Sequence, residues 1–108
     1  MDKYEKLTED LKVALEKAKE IAMKTDDGGT CNFDCCIIRL PRWREELVIK
    51  SIQLSGTVGH KWHIYGSVYY AIRNPILCQG NKNSIQAEVI TEELSKIGYE
   101  CWCYQQAD

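Results

Sequence analysis

The sequence predicts an α+β domain in which an N-terminal helix precedes the order β-α-β-β-α-β, with helices packed on a mixed or antiparallel sheet. Three observations carry that expectation. Apolar residues recur at helical spacing in three separated stretches. Runs rich in β-branched and aromatic residues lie between them. Glycine or proline punctuates the junctions. The order is compatible with a split β-α-β sandwich of ferredoxin-like type preceded by an extra helix, another mixed-sheet topology being equally allowed.

Taken in order, Tyr4, Leu7, Leu11, Ala14, Leu15, Ala18, Ile21 and Ala22 form one apolar stripe between Asp2 and Lys24. Asp2, three residues before Glu5, suits a helix cap. The stripe has to pack on the chain's own sheet or on a partner subunit. Asp26-Asp27-Gly28-Gly29 stops this helix. The second half of Thr30–Leu40 is apolar at consecutive positions, which suits an interior strand covered on both faces. Pro41 ends that strand and is expected in the first turn of a second helix. The face of this helix is Leu47, Val48, Ser51 and Ile52, and Gly56 is its stop.

Lys61–Tyr65 and Val68–Ile72 read as a hairpin about a two-residue Gly66-Ser67 turn. That register puts Trp62, Ile64, Tyr69 and Ala71 on one face, and His63, Tyr65, Val68, Tyr70 and Ile72 on the other. Ala87, Ile90, Thr91, Leu94 and Ile97 mark a third helix, closed by Gly98 with Tyr99 in contact behind it. Tyr99–Gln105 is the last strand, where Tyr99, Cys101 and Cys103 alternate with Glu100, Trp102 and Tyr104.

Composition bounds the function. A chain of 108 residues, 44% hydrophobic and 28% charged, fits one globular domain spanning residues 1–108. A formal charge of −2 argues against a generic duplex-DNA binder. No apolar run approaches the roughly 20 residues that span a membrane. The charged start Met1-Asp2-Lys3-Tyr4-Glu5-Lys6 is unlike a secretory signal, so a cytosolic protein is expected. The six cysteines, Cys31, Cys35, Cys36, Cys78, Cys101 and Cys103, lack the paired C-x2-C spacing of common zinc sites. They read first as reduced structural thiols, with metal or redox chemistry as the alternatives.

The stretch Ile76–Ile85 is the strongest functional pointer. A polar loop containing Gly80 opens a helix, whose first N–H groups carry the positive end of the macrodipole. Lys82 adds charge, and Asn81, Asn83 and Ser84 offer capping or ligand-facing groups. The competing reading is an ordinary loop with a helix cap. Asn32 and Asp34 are either turn formers or polar groups lining a site at the start of a strand. Arg39, Arg42 and Arg44 flank Trp43. That cluster either stacks on a base and pairs with phosphate, or is a Trp wedged into the core among solvated arginines. His60 and His63 have no carboxylate or serine partner nearby in sequence.

Asp26-Asp27-Gly28-Gly29-Thr30-Cys31-Asn32-Phe33-Asp34, then Gln79-Gly80-Asn81 opening a helix, then Tyr104-Gln105-Gln106-Ala107-Asp108 together resemble the first family of phage Thoeris anti-defence proteins. The family's loop carries Gly before the Gln and two basic residues after the Asn, where this chain has Cys78, Lys82 and Asn83. The resemblance implies a sponge that sequesters cyclic ADP-ribose-type signals of bacterial TIR-domain enzymes without cleaving them. It further implies a homo-oligomer, a dimer or higher, working in the bacterial host's cytoplasm with ligand pockets near subunit interfaces. A second site for cyclic nucleotides is known in some members.

On that expectation Gln79, Gly80, Asn81, Lys82 and Ser84 hold the pyrophosphate, and Arg73 with Arg39 or Arg42 adds charge. Phe33, Trp43 or Tyr104 stacks on the adenine. Asn32, Asp34, Gln106 and Asp108 meet the ribose hydroxyls. Neither a cofactor, a metal, a nucleic acid nor a membrane is called for. Binding without turnover needs no activated nucleophile, and no serine-histidine-acid set or zinc-hydrolase signature is recognisable. Two alternatives differ in class. One is a small nucleotide-acting hydrolase or transferase using His63, Asp34 or a cysteine. The other is an interaction module that inhibits a host protein through its first helix or exposed aromatic residues.

Overall fold

A computed structural model describes residues 1–26, 28–29, 32–77 and 80–105. Asp2 starts the first helix as expected. Its Oδ1 accepts from the Glu5 N–H at 2.8 Å, and α1 runs Lys3–Met23. Leu7, Leu11, Ala14, Leu15, Ala18 and Ala22 are buried, while Ile21 falls at the stripe's margin and is 39% exposed. The stripe packs against two other helices of the chain, α2 (Glu45–Ser55) and α3 (Asn81–Lys96), and shares one core with the sheet residues Cys36, Ile38, Tyr70 and Ile72. Thr8 joins it by donating to Tyr4 O at 3.0 Å, and Ser51 of α2 donates to the same carbonyl at 3.2 Å.

Pro41 lies outside α2, contrary to expectation. The Trp43 N–H reaches back to Leu40 O at 3.2 Å, closing a turn, and Arg42 takes φ 67, which no right-handed helix admits. The helix begins instead at Glu45 and Glu46, whose carboxylates suit its positive end. Gly56 ends it in the left-handed conformation at φ 111.

Four strands, β1 (Cys35–Arg39), β2 (Gly59–Ile64), β3 (Ser67–Ile72) and β4 (Glu100–Tyr104), form one sheet in the order β2-β3-β1-β4. Every neighbouring pair is antiparallel. This is the ferredoxin-like arrangement, with β1 and β3 interior. The hairpin turn is Tyr65-Gly66 rather than Gly66-Ser67. Both residues have positive φ, 49 and 81, as a type I′ turn requires. The displacement moves the pairing by two residues, an even step. The expected strand faces therefore survive, with Trp62 now opposite Tyr69, while Tyr65 leaves the sheet for the turn.

One face of the sheet meets the helices. Cys36, Ile38, Leu40, Tyr70 and Ile72 join the helical stripes in a single core there. Among the described residues no helix lies over the other face. Cys35, Ile37 and Ala71 are covered by Trp62, Ile64, Tyr69 and Tyr104. Trp62 and Tyr104 meet edge to face at 5.3 Å, as do Tyr69 and Trp102 at 5.6 Å. β1 is thus buried on both faces as expected, but its second cover is aromatic side chains.

α3 closes in a Schellman motif: Tyr99 N–H reaches Leu94 O and Gly98 N–H reaches Ser95 O, each at 3.1 Å, with Gly98 at φ 104. Thr91 is only half-buried and Ile97 is 50% exposed. The stripe extends the other way, through Gln86 and Asn83. Among the described residues no helix is long and apolar enough to cross a membrane.

Candidate ligand-binding site

Asn83 and Gln86 continue the buried stripe of α3 with polar side chains, so their hydrogen-bonding groups require partners inside the fold. Gln86, fully buried, accepts from Ile76 N–H at 2.9 Å and donates to Ile76 O at 3.1 Å, tying the segment after β3 to the helix. Asn83 Nδ2 donates to Asn32 Oδ1 at 2.7 Å. Asn32 Oδ1 also accepts from Asp34 N–H at 3.2 Å, the local Asx turn its sequence position suggests. Asn32 Nδ2 donates to Gly80 O and to Ser84 Oγ, both at 3.1 Å, and Ser84 Oγ donates to Asp34 Oδ2 at 3.0 Å. The segment preceding β1 and the start of α3 are thereby one unit.

This unit changes the role of the loop. The Asn81 N–H is taken by Gly28 O at 2.7 Å, and those of Asn83 and Ser84 by Gly80 O at 3.1 Å. The buried carboxylate of Asp34 meets the first turn of α3, where the helix dipole favours a negative charge. The chain itself thus fills much of what the sequence offers as an anion cradle.

Beside this unit opens a cavity of about 680 Å³, within the range of small-molecule sites. Asn32, Phe33, Asp34 and Cys35 form the wall from β1, and Arg73, Asn74, Ile76 and Leu77 the wall following β3. His60 and Trp62 of β2, Ala71 and Ile72 of β3 and Asn83 of α3 complete it. Arg73 is held at the strand end by its N–H to Val58 O at 3.0 Å and by Thr57 Oγ1 on its carbonyl at 2.8 Å. Phe33 is 56% exposed and Leu77 80%, both on the cavity wall. The cavity therefore combines aromatic faces, a guanidinium, an imidazole and a polar floor.

Of the expected site residues, Asn32, Phe33, Asp34 and Arg73 come together here. Tyr104 stands behind Trp62, ring against ring. Gly80, Asn81 and Ser84 brace the wall through the contacts above. Lys82 lies half-buried in the first turn of α3, its carbonyl accepting from Gln86 Nε2 at 3.1 Å, and is not a wall residue. Arg39, Arg42 and Trp43 line a different, smaller cavity of about 380 Å³ at the far end of β1, with Lys61 and Tyr70. Trp43 is wedged there edge to face against Tyr4 at 5.2 Å, with Lys3 Nζ 4.8 Å over its ring. Gln79, Gln106 and Asp108 lie outside the described residues.

Sequence reasoning left His60, Trp62 and Asn74 out of the site. The signal for Asn74 and Asn83 was a polar residue at a position where the pattern calls for an apolar one. His60 and Trp62 reach the site only through the strand order, which no local pattern encodes.

Cys35, Cys36, Cys101 and Cys103 are free thiols. Cys101 and Cys103 share the helix-facing side as expected, but are half-buried. Burial, with Cys103 and Asp34 nearby, pushes Cys35 up to about 12, and burial pushes Cys103 up to about 11. Hydrogen bonding to Cys101, then burial, raises Cys36. The same contact, against burial and with help from Ser95 Oγ at 3.2 Å, lowers Cys101 to about 7. Among the described residues no group of three His, Cys, Asp or Glu side chains is placed to hold a metal ion.

The chain matches no family profile, no curated protein sequence and no solved structure.

Proposed function

We propose that the protein binds a cyclic ADP-ribose-type nucleotide in the larger cavity and holds it without cleaving it, acting as a phage anti-defence sponge in the bacterial cytoplasm. The observation that carries this reading is the composition of one wall-to-wall space. Trp62 and Phe33 offer aromatic faces for adenine, Arg73 and His60 offer cationic or donor groups for the pyrophosphate, and Asn32, Asp34 and Asn74 offer polar groups for ribose. Phosphate placement follows Arg73 rather than the start of α3, where the chain's own groups already meet. The motif resemblance supports the same ligand class, because two of its three stretches, 26–34 and 79–81, are joined by the bonds of Asn81 to Gly28 and of Asn32 to Gly80. A second copy covering the apolar rim at Phe33 and Leu77 belongs to the same proposal.

The test is direct. The protein is mixed with each cyclic ADP-ribose isomer, freed of unbound ligand and denatured, and the released molecule is analysed by mass spectrometry. Intact isomer in near-stoichiometric amount is expected. Recovery of ADP-ribose or smaller fragments makes the protein an enzyme instead. A binder that favours the folded state also raises the melting temperature, by about 10 °C at a hundredfold excess over Kd. No retained ligand and no thermal shift would favour the protein-interaction alternative.

A further inference from the structure

Asn74 follows β3, lines the larger cavity and is only 6% exposed. Its Nδ2 group faces three acceptors: Asp34 O at 3.0 Å, Asn83 O at 3.1 Å and Asn83 Oδ1 at 2.6 Å. Those contacts fix which way the amide points, since the flipped side chain would set oxygen against three oxygens. Its Oδ1 is consequently turned from them, and it is buried with no hydrogen-bond partner among the described residues. Folded proteins leave few such atoms, because a buried acceptor without a donor forfeits the hydrogen bonds it made to water.

Oδ1 is itself an acceptor, so a phosphate or carbonyl oxygen approaching it would set acceptor against acceptor. An uncharged N–H or O–H donor meets a vacant one. We infer that Asn74 is a specificity-determining residue of this cavity, its Oδ1 accepting a hydrogen bond from an uncharged donor on the ligand. The inference rests on the nucleotide reading above and orients the ligand within it: the donor group turns toward Asn74 and the phosphates toward Arg73. In a nucleotide the donors are the exocyclic amino group of the base and the sugar hydroxyls. Reaching Oδ1 takes a side-chain adjustment of the wall, of a kind common on binding. A site built around a hydrogen bond rejects an analogue lacking the donor far more sharply than an apolar pocket does.

Titration calorimetry on the intact protein tests this with cyclic ADP-ribose isomers as parents. The analogues are the hypoxanthine form, in which the amino group becomes an oxo group, and deoxy forms lacking one ribose hydroxyl each. One analogue of a binding parent is expected to lose about tenfold or more in affinity, the others staying within about threefold. In Asn74→Ala the same analogue and its parent should bind alike, which assigns the lost contact to this side chain. If Asn74→Ala does not fold, the analogue series on the unaltered protein still decides. All analogues binding within threefold of the parent overturns the inference while leaving the nucleotide reading intact. Failure of every parent isomer to bind overturns both.

Discussion

At the scale of single residues, two glycines share a conformational demand, and only one of them has a close neighbour. Gly29 adopts φ 98, and a Cβ there would sit 2.6 Å from Asn81 Oδ1. Gly56 adopts φ 111 with nothing within 4 Å of an added Cβ. Both substitutions to alanine cost the left-handed penalty, about 1–2 kcal/mol, but only Gly29→Ala must also displace Asn81 from the Gly28 segment. Urea denaturation is expected to find Gly29→Ala the more destabilised of the two; equal losses would mean that the Asn81 contact is easily yielded. Cys101 is the other singular residue. Its thiol is lowered to about 7, from an ordinary 9.0, by the Cys36 contact first and Ser95 second. A group depressed on folding binds fewer protons in the folded state across that window, so its stabilising contribution is present above pH 9 and lost as pH falls through 7. Cys36, raised on folding, has the opposite sign. Thiolate content also governs alkylation. Iodoacetamide at about pH 7.5 should therefore modify Cys101 before Cys35, Cys36 or Cys103, read by peptide mass spectrometry, and preferential labelling of Cys35 would contradict the assignment.

At the scale of elements, what was legible in the sequence was what neighbours along the chain decide. The Asp2 cap, the Gly56 and Gly98 stops and the alternation of the hairpin all depend on residues a few positions apart. Pro41 and the hairpin turn were misplaced because their alternatives satisfy the same local rules: proline suits a turn as well as a first helical turn, and Gly66 serves in either dipeptide. What joins elements was not legible. Tyr99 closes α3, yet its hydroxyl crosses to Asp10 of α1, donating at 2.7 Å. Lys6 pairs with the same carboxylate at 2.7 Å and lies 5.4 Å from the tyrosine ring. Burial first, and Asp10 second, raise the Tyr99 hydroxyl above its ordinary range. A raised pKa means that the contribution holds below the ordinary value near 10 and fails as pH climbs past it. Tyr99→Phe removes a hydrogen bond to a charged partner, so a loss of about 1.5–3 kcal/mol is expected in urea unfolding at neutral pH. A loss under about 0.5 kcal/mol would show Asp10 to be served equally well by Lys6 and water.

At the scale of the whole molecule, the sheet decides which residues can share a ligand. Asn32, Phe33 and Asp34 are expected on one ligand with Arg39, Arg42 or Trp43 by side-chain chemistry, but an extended strand puts about 14 Å between Cys35 and Arg39. β1 therefore delivers Phe33 and Asp34 to the larger cavity and Arg39, Arg42 and Trp43 to the smaller one. In exchange, the order β2-β3-β1-β4 brings Trp62 from one edge strand against Tyr104 from the other. The cationic residues can be told apart experimentally. Arg73 lines the cavity that carries the aromatic and amide groups, whereas Arg39 already pairs with Glu100 at 3.6 Å and Arg42 sits in the exposed turn before α2. Because Arg73 is itself exposed, its charge acts partly through water, and Arg73→Ala should weaken cyclic ADP-ribose binding by about tenfold rather than abolish it. It should also flatten the dependence of affinity on salt. Arg42→Ala should stay within about twofold of the unaltered protein. Calorimetry at two ionic strengths separates the outcomes. If Arg42→Ala carries the larger loss, the nucleotide occupies the smaller cavity, and the aromatic contact passes from Trp62 and Phe33 to Trp43.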